Sequence, residues 1–232
     1  MSPRTQSAAL LLCLNFGLMA TAQAAEPGWY VIGFGGETSA SGLSQGQVDD
    51  NLVAIFASVG LDELDASSTL DDSDTGFGFA GGYQVNDYLA FEFAYLDLGS
   101  IGYRASGTAS DGVETLNVEA VLDNSADGAI VSVLGILPIG ERFSVYGRAG
   151  LSLLNADGTA RITVDGESQR AGQSSQTSDP VFGVGAEYSL SRNFAIRLAW
   201  DRYLDVGTED VIGDTDADFF SLGLRMAVGW LR

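Results

Sequence analysis

Five charged residues stand at alternating positions within otherwise apolar or small-residue segments: Glu92, Arg148, Glu187, Arg197 and Arg225. Phe91 and Phe93 flank Glu92, Ile196 and Leu198 flank Arg197, and Leu224 and Met226 flank Arg225. In an extended chain successive side chains point to opposite faces, so each charge turns away from the bulky residues beside it. A buried charge is costly unless it is paired and hydrogen-bonded, so five sharing one small interior imply a mutually compensating network. Two uses fit such a network. It can fill and rigidify an interior, or it can act as a gate whose rearrangement opens a narrow path for water and small solutes.

Other motifs carry less. Gly76-x-Gly78-x-x-Gly81 matches a dinucleotide fingerprint as a string, but that motif needs a strand before it and a helix after it, and these glycines fall within one strand. No cofactor is expected. Asp214-x-Asp216-x-Asp218 resembles the start of a calcium loop, yet Arg225 stands where an EF-hand places its glutamate. No dedicated metal site is assigned, and loosely held divalent cations at the acidic segments remain a candidate partner. The chain contains no histidine, so the usual base of a membrane-barrel hydrolase is missing and no catalytic residue is assigned. Acidic residues number 31 against 11 basic ones, and they gather between the candidate strands. Such segments repel phosphate, which excludes nucleic acid as a partner. They suit either solvated loops or attraction of cations to a pore mouth.

The elements that must position the five charges are strands. Gly76 to Leu98 reads as a hairpin turning at Asn86-Asp87, with large apolar residues on one face and glycine and alanine around Glu92 on the other. In a soluble sandwich the second face would carry long solvated side chains. Here it suits the crowded inside of a small barrel, with the aromatic face turned to lipid. Eight strands follow this logic: Trp29–Glu37, Phe77–Val85, Tyr88–Leu98, Ala129–Leu137, Phe143–Leu153, Val181–Ser189, Phe194–Tyr203 and Phe219–Trp230. Short connections alternate with long ones. The expected fold is all-β, an eight-stranded antiparallel up-and-down transmembrane barrel. The inward set also includes Ser132, Ser144, Tyr146, Asp201 and Ser221. In the first strand Tyr30, Ile32 and Phe34 are assigned outward, because Gly33 and Gly35 suit a crowded interior. Arg202 is the one charge assigned outward.

The ends and loops complete the expectation. Arg4, an apolar run from Ala8 to Ala20 and the Ala22-Gln23-Ala24 site read as a secretory signal peptide, residues 1–24, cleaved after Ala24. The barrel domain is then 25–232, without cysteine and with four long acidic outer loops. Ser44 to Gln47 forms a capping box, and Val48, Leu52, Ile55, Phe56 and Val59 share a helical face that Gly60 would end. Ala160 to Arg170 reads as a hairpin turning at Asp165-Gly166.

GGYQVNDYLAFEFAY, LPIGERFSVYGRAG, DPVFGVGAEY and SLGLRM together resemble the OmpA-type eight-stranded outer-membrane barrel, across nearly the whole mature chain. The resemblance implies an internal salt-bridge plug, a lipid environment in the outer membrane and assembly by the barrel-assembly machinery. It pairs the third-strand Glu92 with the seventh-strand Arg197, and matches Arg148 and Glu187 to the family's fifth- and sixth-strand charges. The family's fourth-strand lysine is replaced by Leu134, which implies a Glu92–Arg197 lock unless Arg148 or Arg225 substitutes. The sequence stops soon after the eighth strand, so the family's periplasmic peptidoglycan-binding domain is not expected. It finishes on Trp230-Leu231-Arg232 rather than on an aromatic residue. A structural or surface scaffold displaying acidic loops is the expected function; the alternative is a narrow, weakly cation-selective pore.

Overall fold

The computed structural model describes residues 27–41, 44–58, 63–110, 114–204, 206 and 216–228. The expected signal peptide with Ala24, the helix end at Val59 and Gly60, the acidic residues 209, 210 and 214, and Trp230 lie outside them. Among the described residues the elements are β1 Gly28–Ser41, α1 Gln45–Ser58, β2 Glu63–Asp71, β3 Ser73–Asn86, β4 Leu89–Ser110, β5 Thr115–Ile139, β6 Phe143–Val164, β7 Glu167–Ser189, β8 Phe194–Tyr203 and β9 Asp216–Val228. All pairings are antiparallel. Strands β1-β3-β4-β5-β6-β7-β8-β9 follow one another around a ring that β9 closes on β1. Only Asp72 separates β2 from β3, and both lie along β4, so together they occupy one of eight places.

The outside of the ring is an apolar band. Trp29, Phe79, Phe93, Val131, Leu151, Phe182, Leu198 and Leu224 are all exposed, as water would not tolerate but lipid requires. Trp29 packs on Tyr83 with ring centroids 5.0 Å apart, an aromatic pair near the short-turn end. One strand is reversed from the sequence expectation. Tyr30 and Ile32 are buried inside and Phe34 is half-buried there, whereas Trp29 and Val31 point out. The cause lies on the neighbouring strand. Gly78 and Gly82 of β3 leave room in the interior that Phe34 and Tyr30 occupy: a Cβ on Gly82 would lie 2.3 Å from the Tyr30 ring. Gly33 and Gly35 therefore face outward, and Glu37 follows them as an outward charge that the sequence reading did not assign.

Away from the short turns the barrel does not dissolve into loops. β8 stops at Tyr203 opposite Val181, while β6 and β7 climb together to Val164 and Glu167. β2, β4, β5, β6 and β7 thus form an upper sheet, built from the expected Ala160–Arg170 hairpin and from segments that the sequence pattern does not assign to strands. The Asp165-Gly166 turn is realised with φ of 47° and 86°, the left-handed pair that a two-residue hairpin requires. Helix α1 begins at the expected capping box, with the Gln47 amide donating to Ser44 Oγ at 3.3 Å. It buries Val48, Leu52 and Phe56 against Tyr103, Ala105, Ala109, Val118 and Ala120. Ile55, assigned to the same face, is half exposed, because the sheet meets a narrower stripe than the sequence pattern offers.

Tyr103 ties the helix to the sheet, its hydroxyl donating to Asp49 at 2.5 Å. Burial first, then this bond, pushes its phenol up to about 12. Since the folded value lies above the ordinary one, the stability it contributes is complete below pH 10 and is lost as pH rises towards 12. The ultraviolet difference spectrum between wild type and Tyr103→Phe should therefore show a phenolate midpoint well above 10. A midpoint at 10 would place this side chain in water and undo the docked helix.

Candidate functional site: the charged lumen

All five predicted charges point into the barrel and meet there, joined by three residues that the sequence reading left out of the network, Tyr30, Gln84 and Asp201. Glu92 on β4 is the centre. Its Oε1 accepts from the Tyr30 hydroxyl at 2.8 Å and from Arg197 Nη1, and its Oε2 accepts from Arg148 Nη2 at 2.9 Å. Arg197 on β8 also forks onto Glu187 of β7, through Nε at 3.1 Å and Nη2 at 2.9 Å. Arg225 on β9 reaches Glu187 at 3.4 Å and Gln84 at 2.9 Å. Arg148 on β6 turns its other nitrogen to Asp201 at 2.8 Å. The sequence analysis placed Asp201 inward but gave it no partner. Tyr30 was assigned to the opposite face.

The charges balance: Glu92, Glu187 and Asp201 against Arg148, Arg197 and Arg225. The equality matters because an uncompensated charge here could not be screened by solvent; Glu92 is only 3% exposed and Arg197 only 6%. Position Leu134, where the resembling family has a lysine, is fully buried and apolar. The place of a second cation beside Glu92 is taken by Arg148.

Two tyrosines hold the key guanidinium. Arg197 lies 4.9 Å from the centroid of the Tyr146 ring and 5.8 Å from that of Tyr30, and Arg225 lies 4.1 Å from Tyr30. Such ring contacts stabilise a cation most where water is excluded. Glycine makes this possible at Gly185, where a Cβ would come within 2.4 Å of the Tyr146 ring. These glycines on the inner face are thus spaces reserved for particular large partners on the neighbouring strand.

Two cavities flank Arg197. One, of about 40 Å³, lies toward the short turns and is bordered by Tyr30, Gln84, Tyr146, Glu187 and Arg197. The other, of about 20 Å³, is bordered by Arg148, Arg197, Asp201 and Ser221. Each is wide enough for a water molecule, which needs roughly 10–15 Å³. Arg148 Nε and Asp201 Oδ1, on the smaller one, and Tyr146 Oη, on the larger, are buried with no protein hydrogen bond. At the upper rim, outside the network, Arg202 forks onto Asp218 at 2.8 and 2.6 Å and covers the Trp200 ring.

Known proteins resemble this chain over most of its length. Residues 35–230 match the profile of the OmpA-like transmembrane domain. Outer membrane protein A of Shigella dysenteriae is 30% identical over 167 residues, covering 72% of this chain and 44% of the relative. The protein of the same name from Klebsiella pneumoniae is 30% identical over 159 residues, covering 66% and 41%. The chain therefore spans less than half the length of these relatives. Among solved structures, the outer membrane protein OprG of Pseudomonas aeruginosa aligns over 89% of this chain and all of its own, at 13% identity and a TM-score of 0.43. AlkL, solved in lipid bilayers, aligns over 94% and 100%, at 17% and 0.43.

The network ranks its members. Arg197 joins both central carboxylates, whereas Arg225 makes one long ion pair and one bond to a neutral amide. Arg197→Met, which takes one arginine from each of two buried carboxylates, should cost about 3–5 kcal/mol of folding stability, the range for breaking a buried pair. Arg225→Met should cost clearly less. Urea titrations of the barrel in lipid vesicles measure both, and equal losses would contradict this ordering.

Proposed function

The chain belongs to the OmpA-like transmembrane domain family, β-barrels of the outer membrane, and from that premise we propose that it is a surface scaffold with a closed lumen. The barrel anchors it in outer-membrane lipid, where the barrel-assembly machinery inserts it. The upper sheet and α1 then stand on the cell's outer side. The observation that carries this reading is that, among the described residues, the interior is occupied by bonded side chains, and the cavities beside Arg197 are only water-sized. An eight-stranded barrel is only just wide enough to be filled in this way. Glu92, Arg148, Glu187, Arg197 and Arg225, with Asp201, act as a plug that rigidifies the wall.

What the scaffold displays is acidic. Asp71, Asp72, Glu119, Asp123, Asp157, Asp165 and Glu167 are exposed on the upper strands and turns, against Arg104, Arg161 and Arg170. A surface of that sign draws counter-ions, divalent cations included, and repels anionic partners. The pore reading draws on the same surface, which would favour cations at a mouth, and on the two cavities beside Arg197.

Two measurements divide these readings. Trypsin added to intact cells should cut at Arg161 and Arg170 in the upper hairpin and spare the lumen arginines. The folded wild-type barrel in a planar bilayer should give no discrete current. Cation-selective steps from the wild type would replace the scaffold with the pore.

A further inference from the structure

The order of residues along the inner face is the same on strand after strand. Reading away from the short turns, β4 offers Ala90, Glu92, Ala94, Leu96 and Leu98. β6 passes from Tyr146 and Arg148 to Leu154, β7 (read backwards) from Glu187 to Val181, and β9 (read backwards) from Arg225 to Phe219. β8 runs from Arg197 through Asp201 to Tyr203. On these strands the six charges of the network therefore lie on the short-turn side of Leu96, Leu154, Val181, Tyr203 and Phe219. Leu96, Leu154, Val181, Tyr203 and Phe219 are at most 1% exposed and belong to one contiguous cluster.

We infer that the lumen has two closures in series, and that this apolar layer, not the ion-pair network, is the final barrier to permeation. The inference rests on the closed-lumen reading above and says where the closure lies. The charged layer borders the larger cavity, whose other walls include the turn residues Asp87, Pro138 and Arg142, so water reaches it from the short-turn side. Beside Arg197 there is a second water-sized chamber, which Ile32 and Phe34 also border. Past that, the leucines, valine and phenylalanine offer an ion nothing to replace its hydration shell. A narrow apolar constriction of this kind excludes ions by shedding water even when no charge is locked across it. Breaking the Glu92–Arg197 contact therefore enlarges a dead-end well and does not complete a path. The apolar layer packs large side chains against one another.

The test uses folded barrels in planar bilayers, with heat-shifted gel mobility confirming that each variant is closed. Arg197→Ala alone should be as silent as the wild type. Arg197→Ala combined with Leu96→Ser and Phe219→Ser should give discrete current steps, because water can then wet both layers. If the serine variant does not fold, Leu96→Ala and Phe219→Ala open the same layer with smaller apolar residues. Current from Arg197→Ala alone, or a folded combined variant that stays silent, would overturn the inference. A conducting wild type would instead remove the closed-lumen reading on which it stands.

Discussion

An eight-stranded ring encloses a space about one side chain across, and that narrowness governs the rest of the molecule. Nothing inward can be solvated by bulk water, so each inward position must be small, apolar or matched to a specific partner. The lumen meets this demand with three carboxylates against three guanidiniums, arranged so that Glu92 and Glu187 each receive two arginines. Arg197 is shared between them, which makes the network continuous rather than a set of separate pairs. Such an arrangement does not stabilise much relative to an apolar filling of the same volume. Its effect is on uniqueness: each strand bearing a charge has one register in which that charge finds its partners.

The glycines belong to the same argument. Tyr30 and Tyr146 can lie beside Arg197 only because Gly82 and Gly185 present bare backbone opposite them. A lumen of uniformly medium side chains could not bring a phenol, two arginines and a carboxylate into contact. Large and empty positions are therefore complementary between neighbouring strands, much as ridges and grooves are between helices. The outward faces carry no such coding. Lipid asks only that they be apolar, and they differ freely among leucine, valine, phenylalanine and tryptophan.

This difference decides what could be read from the sequence. The barrel, its hairpins and all five charged residues were legible, because alternation with lipid on one side is a local pattern. Asp201 was legible as inward, but its bond to Arg148 was not, since pairing between β6 and β8 depends on the ring's closure. The first strand was misread for the same reason. Both of its faces contain residues acceptable in either place, and the choice between Tyr30 and Trp29 as the inward residue is made by Gly82 on the neighbouring strand. The long connections were read as loops because their serine, threonine, glycine and aspartate content suits turns. As strands above the membrane band they are wet on the outer face and only partly covered within, so alternation is weak. The exception is the stripe that meets α1, where Tyr103, Ala105, Val118 and Ala120 supply an apolar patch for Val48, Leu52 and Phe56.

The helix also shows how the two halves of the chain solve one problem differently. Below, the interior of the sheet is closed by curvature, each strand covering the next. Above, among the described residues, β1, β8 and β9 end while β4 to β7 continue, so there the sheet is open and its inner face would be bare. A single amphipathic helix from the β1–β2 connection covers part of that face, anchored at Tyr103 through Asp49. Its position in the chain is what makes this economical: leaving β1 at the rim and returning as β2 beside β4, the connection must cross the open side anyway. Closure of the barrel below and the docked helix above are thus two answers to the same requirement, that a sheet with one apolar face must not leave it exposed to water.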